Sequence, residues 1–156
     1  MKKISITFLF LFFSIFIWAQ NLDYQNGLYY KKGMLFTGQN IEYYSNGKIQ
    51  LEQNIKDGLV DGKMILYYTN GKVQEQREYI EGKKNGIWIN WSEEGIKTAE
   101  AAYKNDIKDG DWFVWDSKGT ILYEMHYTMG KRSGVWHQWD ENGNLIMERT
   151  YEEGNK

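Results

Sequence analysis

The sequence contains neither cysteine nor proline among its 156 residues. Without cysteine the chain can form no disulfide bond, can bind no metal through a thiolate and offers no attachment point for a lipoprotein anchor. The absence of proline, together with 12 tyrosines and 7 tryptophans, is untypical of a disordered chain and favours β-structure. Stability must therefore come from packing alone, and the length suits one domain.

Positive charge is also scarce. The chain has 19 Lys and Arg residues against 21 Asp and Glu residues. Two of the basic residues, Lys2 and Lys3, belong to an N-terminal leader, and without them 17 basic residues face 21 acidic ones, a net charge of −4. A nucleic-acid-binding protein normally presents a basic stripe, so we expect no nucleic-acid partner.

The only long apolar run lies at the N-terminus. Residues 4–18 are almost wholly apolar, follow Lys2 and Lys3, and end at Ala19. This pattern is typical of a secretory signal peptide spanning residues 1–19, whereas a retained membrane helix needs about 20 apolar residues. We expect cleavage near Ala19, export to the periplasm or the cell exterior, and no stable membrane insertion afterwards.

Glycine, in contrast, is abundant and periodic. Two series of glycines keep a step of 24 residues: Gly38, Gly62, Gly86, Gly110 and Gly134, and Gly47, Gly71, Gly95, Gly119 and Gly143. A third series keeps the same step with Asp106 in its missing slot: Gly58, Gly82, Gly130 and Gly154. A fixed period of this length indicates small units that stack along a line. We expect five full copies over residues 38–156, preceded by an N-terminal cap and degenerate copy over residues 20–37.

Each copy reads as a β-hairpin. Two runs of five to seven aromatic and β-branched residues are bounded by turn residues, and no helical period competes with them. The second glycine series closes the turn. Because Glu94 and Lys118 precede two of these glycines, a three-residue loop fits all copies better than a two-residue type I′ turn.

That loop sets a register and sorts the side chains onto two faces. It places Trp115 opposite Ile121 and Phe113 opposite Tyr123, and it makes one mostly apolar core face. We expect two rows of residues to build this core: Tyr43, Tyr67, Trp91, Trp115 and Trp139, and Ile55, Tyr79, Tyr103, Tyr127 and Tyr151. The same register puts His137 on the core face and His126 on the other.

The second face carries the candidate binding site. The register predicts that each of three tryptophans lies across from a glutamate: Trp88 from Glu100, Trp112 from Glu124, and Trp136 from Glu148. Tryptophan is enriched at binding hot spots, and aromatic rings beside acids suit a peptide strand, a cationic group or a sugar. The alternative is that the tryptophans only cover the connections between copies and that the glutamates are solvated cross-strand partners.

No catalytic constellation stands out. The repeat explains every glycine, so no glycine-rich phosphate loop is left. Paired carboxylates of the kind that hydrolyse glycosides are available, but the acids recur in each copy, whereas an active site normally breaks a repeat's symmetry. We expect no enzyme activity, no cofactor and no metal site.

The repeat unit resembles the bacterial variant of the MORN repeat. The pattern consists of two aromatics, an Asn-Gly turn and a Glu-x-x-Tyr-x-x-Gly-Lys segment. Two copies carry it well, the fourth in Trp112, Trp115, Gly119, Glu124, Tyr127, Gly130 and Lys131, and the fifth in Trp136, Trp139, Asn142, Gly143, Glu148 and Tyr151. The resemblance covers about residues 27–155 and implies an all-β, elongated, single-layer antiparallel sheet of stacked hairpins. The third copy departs from the pattern at Asp106 and at Glu93 and Glu94, where a kink or looser loop would follow.

The resemblance also implies a scaffold or protein-binding role, and proteins of this variant are often labelled antitoxins. Export argues against a cytoplasmic antitoxin. The leading hypothesis is a non-catalytic, exported module that binds a protein or peptide. The alternatives are an envelope protein that self-associates end to end through its open sheet ends, an immunity-like partner protein, and a polysaccharide binder.

Overall fold

The computed structural model describes residues 21–152, and every regular element in that range is a β-strand. The predicted signal peptide at residues 1–19 lies outside the described residues. The first strands form a small antiparallel sheet of β1 (Asp23–Gln25), β2 (Leu28–Lys31) and β3 (Met34–Leu35). The described residues include no helix long and apolar enough to cross a membrane.

The remaining strands form one open antiparallel sheet of 11 strands. They follow one another in chain order from one end of the sheet to the other, except that β8 pairs only with β7: β4 (Gly38–Tyr43), β5 (Ile49–Lys56), β6 (Leu59–Tyr67), β7 (Val73–Ile80), β8 (Lys83–Lys84), β9 (Gly86–Trp91), β10 (Lys97–Lys104), β11 (Ile107–Trp115), β12 (Ile121–Thr128), β13 (Lys131–Trp139) and β14 (Leu145–Tyr151). The predicted all-β sheet of stacked hairpins is confirmed.

Three-residue loops close the five hairpins, as the sequence predicts. In the fourth copy Asp116 N donates to Thr120 O and Gly119 N donates to Asp116 O, at 2.9 and 3.1 Å. The glycine has a φ of 86°, in the left-handed region that other residues enter only at a cost. The pairing next to the loop is also the predicted one, since Trp115 lies opposite Ile121.

A β-bulge then shifts the register in every hairpin by one residue. In the fourth hairpin Leu122 is the extra residue, so Val114 faces Tyr123 and Phe113 faces Glu124. The other hairpins shift at the equivalent place, at Gln50, Gln74, Thr98 and Ile146. Because successive side chains point to opposite faces of a sheet, one extra residue exchanges the faces of the rest of the strand.

The predicted pairing of Phe113 with Tyr123 is therefore wrong, and so are the three tryptophan–glutamate pairs. Trp88 faces Ala101, Trp112 faces Met125, and Trp136 faces Arg149. The single core face is wrong as well. The row that contains Trp115 and the row that contains Tyr127 lie on opposite faces, since Tyr127 pairs with Gly110, an odd number of residues from Trp115.

A second kind of turn connects each copy to the next. Two successive residues with positive φ form each connection: Lys32-Gly33, Asp57-Gly58, Glu81-Gly82, Asn105-Asp106 and Met129-Gly130. This is the signature of a type I′ turn. Asp106 takes the glycine slot with a φ of 67°, and its Oδ1 accepts a hydrogen bond from Lys84 N at 2.8 Å.

The third copy keeps the fold. Its loop has the same hydrogen bonds as the others, from Ser92 N to Ile96 O and from Gly95 N to Ser92 O, so the loop at Glu93 and Glu94 is not looser. The strand is interrupted instead just before the third copy, at Asn85, which separates β8 from β9.

The sheet is a single layer without a thick core. Four apolar residues of the described chain are buried, namely Leu51, Ile55, Ala102 and Trp136. Most other strand residues are half-buried on one face or the other. Such a layer leaves long rows of side chains accessible on both faces.

Candidate functional site

The three candidate tryptophans belong to one aromatic column. On the face that carries them, called here the indole face, tryptophan and tyrosine rings alternate from Tyr79 to Tyr151. Neighbouring ring centroids are 4.9 to 5.4 Å apart in the order Tyr79, Trp88, Tyr103, Trp112, Tyr127, Trp136 and Tyr151. These separations lie within the favourable range for aromatic pairs, so each indole fills the gap between two tyrosines.

Each indole also satisfies its own polar group. The Nε1 atoms of Trp88, Trp112 and Trp136 donate to the backbone oxygens of Glu78, Ala102 and His126 at 3.0 to 3.1 Å. Trp136 is 8% exposed, while Trp88 and Trp112 are half-buried. Burial raises the pKa of the Tyr103 hydroxyl, and the nearby Tyr127 adds to the shift. The column is thus a packed unit with one accessible side.

A cation lies over each indole on that accessible side. Lys84 Nζ is 4.8 Å from the centre of the Trp88 ring, and Lys108 Nζ is 4.0 Å from that of Trp112. The Arg132 guanidinium carbon is 4.9 Å from the Trp136 ring. Each of these cations also contacts the next tyrosine of the column. The attraction between a cation and an aromatic face holds each charge in place.

These three cations have no carboxylate partner in the described part of the chain. Among residues 21–152, no carboxylate lies within ion-pair distance of Lys84, Lys108 or Arg132. The three form a basic row at 24-residue steps on the indole face. The tryptophans therefore lie beside cations of the chain itself and not beside the acids that the sequence predicted.

The three glutamates lie on the opposite face, called here the glutamate face. Glu100 Oε2 accepts from Lys97 Nζ at 2.7 Å. Glu124 pairs across the sheet with Phe113 and His137, and Glu148 pairs with His137. The predicted site is consequently divided: the structure brings its tryptophans together and its glutamates together, on different faces.

The two histidines share the glutamate face, which corrects the prediction that they lie on opposite faces. Glu124 stands between them, with Oε2 at 3.3 Å from His137 Nδ1 and Oε1 at 3.9 Å from His126 Nε2. His126 Nδ1 contacts Asp111 Oδ1 at 2.6 Å. No group of three or more His, Asp or Glu side chains in the described part of the chain has an arrangement that could hold a metal ion.

Comparison with known families now identifies the repeat. A family model described as the MORN repeat variant matches residues 36–57, 60–81, 108–129 and 132–153. These four segments together cover more than half of the chain. The chain belongs to this family. No curated protein matches it.

The aromatic column runs through matched and unmatched copies of the MORN repeat variant alike. Residues 82–107, which lie between two matched segments, contain Trp88 and Tyr103 and continue the column without a gap. The first MORN copy has Asn40 in the tryptophan slot, and the second has Met64 there. The cation-capped part of the column is therefore confined to the last three copies.

Sequence reasoning missed the basic row. Lys84, Lys108 and Arg132 recur at the 24-residue step, each two residues after the third glycine or its replacement Asp106. That recurrence was the available signal. Placing this basic row on the face of the tryptophans also requires knowledge of the bulge, because the predicted register paired the tryptophans with acids.

Proposed function

We propose that this protein is a non-catalytic scaffold whose basic row on the indole face binds an acidic, extended segment of a partner protein. One observation carries the proposal: three cations stand over three tryptophans at a constant step, without carboxylate partners among the described residues. Aromatic and arginine side chains are enriched where proteins bind one another. The family membership supports a repeat scaffold.

The spacing of the row favours one conformation of the partner. Equivalent residues of successive copies are two strands apart, about 9–10 Å. A polyproline II segment advances about 9.3 Å in three residues and has three residues per turn, so every third side chain points the same way. An acid at every third position would meet Lys84, Lys108 and Arg132 in turn. In a β-strand, residues three apart point to opposite sides.

Labelled peptides test this match directly. One proline-rich peptide carries glutamate at every third position, and a second has the same composition with glutamate at every second position. We expect fluorescence anisotropy to show tighter binding of the first peptide, and affinity that falls as salt is added. Equal binding of both peptides would contradict the spacing argument, and binding of neither would contradict the acidic partner.

Matched variants locate the site. The triple variant Lys84→Gln, Lys108→Gln, Arg132→Gln should lose affinity about tenfold, since it removes three exposed charge pairs of about 0.2–1 kcal/mol each. The control triple variant Lys48→Gln, Lys72→Gln, Lys118→Gln removes the same charge from exposed lysines at the three-residue loops. It should bind like the unmodified chain. An equal loss in both variants would indicate only a nonspecific effect of net charge.

Export is part of the proposal and rests on residues 1–19. The apolar run and the closing Ala19 support cleavage there. Intact mass spectrometry of the chain recovered from its native cell envelope should give the mass of a chain that begins at Gln20. A full-length mass in the cytoplasmic fraction would contradict export.

A further inference from the structure

The edge strands at the two ends of the large sheet differ in what covers them. At the C-terminal end, β14 pairs with β13 on one side and has no strand partner on the other within residues 21–152. Its side chains are open to solvent, with Leu145 51%, Ile146 58% and Met147 38% exposed. A strand edge with apolar side chains is a template for pairing with another chain.

At the other end, the N-terminal cap covers β4 only in part. The hairpin of β2 and β3 ends with a hydrogen bond from Phe36 N to Tyr29 O at 3.0 Å. β4 begins just beyond, at Gly38, and pairs only with β5 among the described strands. An open groove of about 480 Å³ runs between the cap and β4, lined by Leu22, Tyr24 and Tyr29 on one side and by Asn40 to Tyr43 on the other.

The groove contains an unpartnered buried acceptor. Asn40 is 2% exposed, and its Nδ2 donates to Glu42 Oε1 at 3.0 Å. Its Oδ1 is buried and has no hydrogen-bond partner in the described part of the chain. Buried polar groups of folded proteins are nearly always paired. An incoming donor can reach the exposed Glu42 carboxylate, whereas the Asn40 oxygen is enclosed.

The repeat itself specifies which residues would meet at these two ends. Where one copy joins the next, Leu51 faces Leu66, Glu52 faces Ile65 and Gln53 faces Met64. The junction of β10 with β11 has the same register. Continuing this register from β14 onto the β4 of a second molecule places Met147 opposite Glu42, Glu148 opposite Ile41, and Arg149 opposite Asn40.

We propose that copies of this chain associate head to tail, with the Leu145–Arg149 segment of one molecule added to the free edge of β4 in the next. Arg149 is the donor that the groove lacks. Its guanidinium carries several N–H groups in one plane and has no carboxylate within ion-pair distance in residues 21–152. It would donate to the Glu42 carboxylate of the next molecule.

The geometry limits the strength of this contact. Because β2 occupies the space beside Phe36, the added segment has room for about five residues, and an interface below about 1,200 Å² is typically transient. The contact joins two different surfaces, so it leaves a free end on each molecule and gives open chains rather than closed dimers. This inference goes beyond the proposed function, since it uses the sheet ends and not the basic row.

Sedimentation velocity of the processed chain over a concentration series tests the proposal with two charge-reversal variants. Arg149→Glu and Glu42→Arg should each remain monomeric at concentrations where the unmodified chain sediments as a growing series of species. Mixing the two variants should restore the series, because every tail then meets a head of opposite charge. Thermal unfolding of each variant alone shows whether the fold is intact.

Three results would overturn the inference. An unmodified chain that stays monomeric at the highest concentration contradicts association. Assembly that stops at two molecules and is unaffected by Glu42→Arg indicates that β14 pairs with β14 of a second molecule. Two well-folded variants whose mixture stays monomeric exclude the contact between Arg149 and Glu42. Binding of the acidic peptide to the basic row is measured separately, so a negative result for head-to-tail association does not contradict the proposed function.

Discussion

At the scale of single residues, backbone conformation separates two uses of glycine. In the hairpin loops, glycine supplies a positive φ without a close neighbour, as at Gly143, where a Cβ would meet nothing within 4 Å. Gly110 combines a φ of 107° with a close neighbour, since a Cβ there would lie 2.9 Å from Ala102 Cβ. The two positions should therefore respond differently to the same substitution.

Gly110→Ala should lower the free energy of unfolding by about 2–4 kcal/mol, because the left-handed backbone and the contact with Ala102 both oppose a side chain. Gly143→Ala is the matched control and should cost about 1–2 kcal/mol, from the backbone alone. Urea unfolding of both variants gives the comparison. Equal losses of unfolding free energy in the two variants would mean that the contact of the new Cβ with Ala102 does not affect stability.

The last hairpin loop should make the stability of the fold depend on pH. Hydrogen bonds from the Asn144 side chain and backbone, and from Asn142, hold the pKa of the Asp140 carboxyl below its usual range. A carboxyl whose pKa is lower in the folded chain stabilises the fold above its unfolded pKa of about 3.9. That contribution disappears as the pH falls from about 4 through the folded value.

Asp140→Asn should consequently reduce the dependence of stability on pH below about pH 4, because an amide does not titrate. The measurement is urea unfolding at a series of pH values from neutral to strongly acidic. Glu141→Gln, which removes an exposed carboxylate next to it, is the control. If both variants keep the acid dependence of the unmodified chain, Asp140 is not its source.

At the scale of elements, turn chemistry was predictable and the bulge was not. The three-residue loops were predicted from local residues, because Glu94 and Lys118 disfavour a two-residue type I′ turn and a glycine stands in the left-handed position. The preference is not strict, since Lys32, Glu81 and Met129 occupy the equivalent position in the turns between copies. The bulge residues share no chemistry, since they include Gln50, Thr98 and Leu122. Nothing local marked them, and one extra residue moved three tryptophans to the face of the tyrosines.

The same shift explains the errors in the candidate site. The predicted register kept Trp112 beside Glu124, whereas the structure places Trp112 between Tyr103 and Tyr127 and under Lys108. The residue types were chosen correctly as a recurring row. The neighbours of the tryptophans, and hence the sign of the charge beside them, depend on how the strands pair. A residue pattern does not give that pairing unless the register is known.

Removing one ring tests whether the column acts as a unit. Trp112→Ala deletes two ring contacts and the hydrogen bond to Ala102 O, and it should lower the free energy of unfolding by about 2–4 kcal/mol. Tyr123→Ala on the neighbouring strand is the control. Tyr123 is 36% exposed, and its hydroxyl accepts a hydrogen bond from Gln138, so a loss of less than about 1 kcal/mol is expected. Similar losses would contradict a special role for the column.

At the scale of the whole molecule, stability should vary along the sheet. Each copy contacts only its neighbours, so stability is approximately a sum over copies and their junctions. β14 has one neighbouring strand and six of its seven residues are exposed, whereas β11 and β12 are paired on both sides. The middle copies should therefore contribute most to the stability of the sheet.

Hydrogen exchange measures this gradient. Amides of β14 should exchange fastest among the strands of the large sheet, and those of β10, β11 and β12 slowest, because opening an end copy breaks one junction and opening a middle copy breaks two. Raising the protein concentration should slow exchange in β14 if the head-to-tail contact forms. Uniform protection along the sheet would indicate that the copies unfold together.

A bulge in each hairpin places tryptophans, tyrosines and cations on one face, and nuclear Overhauser contacts from the Trp112 indole test this arrangement. We expect contacts to the rings of Tyr103 and Tyr127 and to the side chain of Lys108, with Met125 across the strand pair. Contacts from the Trp112 indole to Glu124, without contacts to either tyrosine, would contradict it.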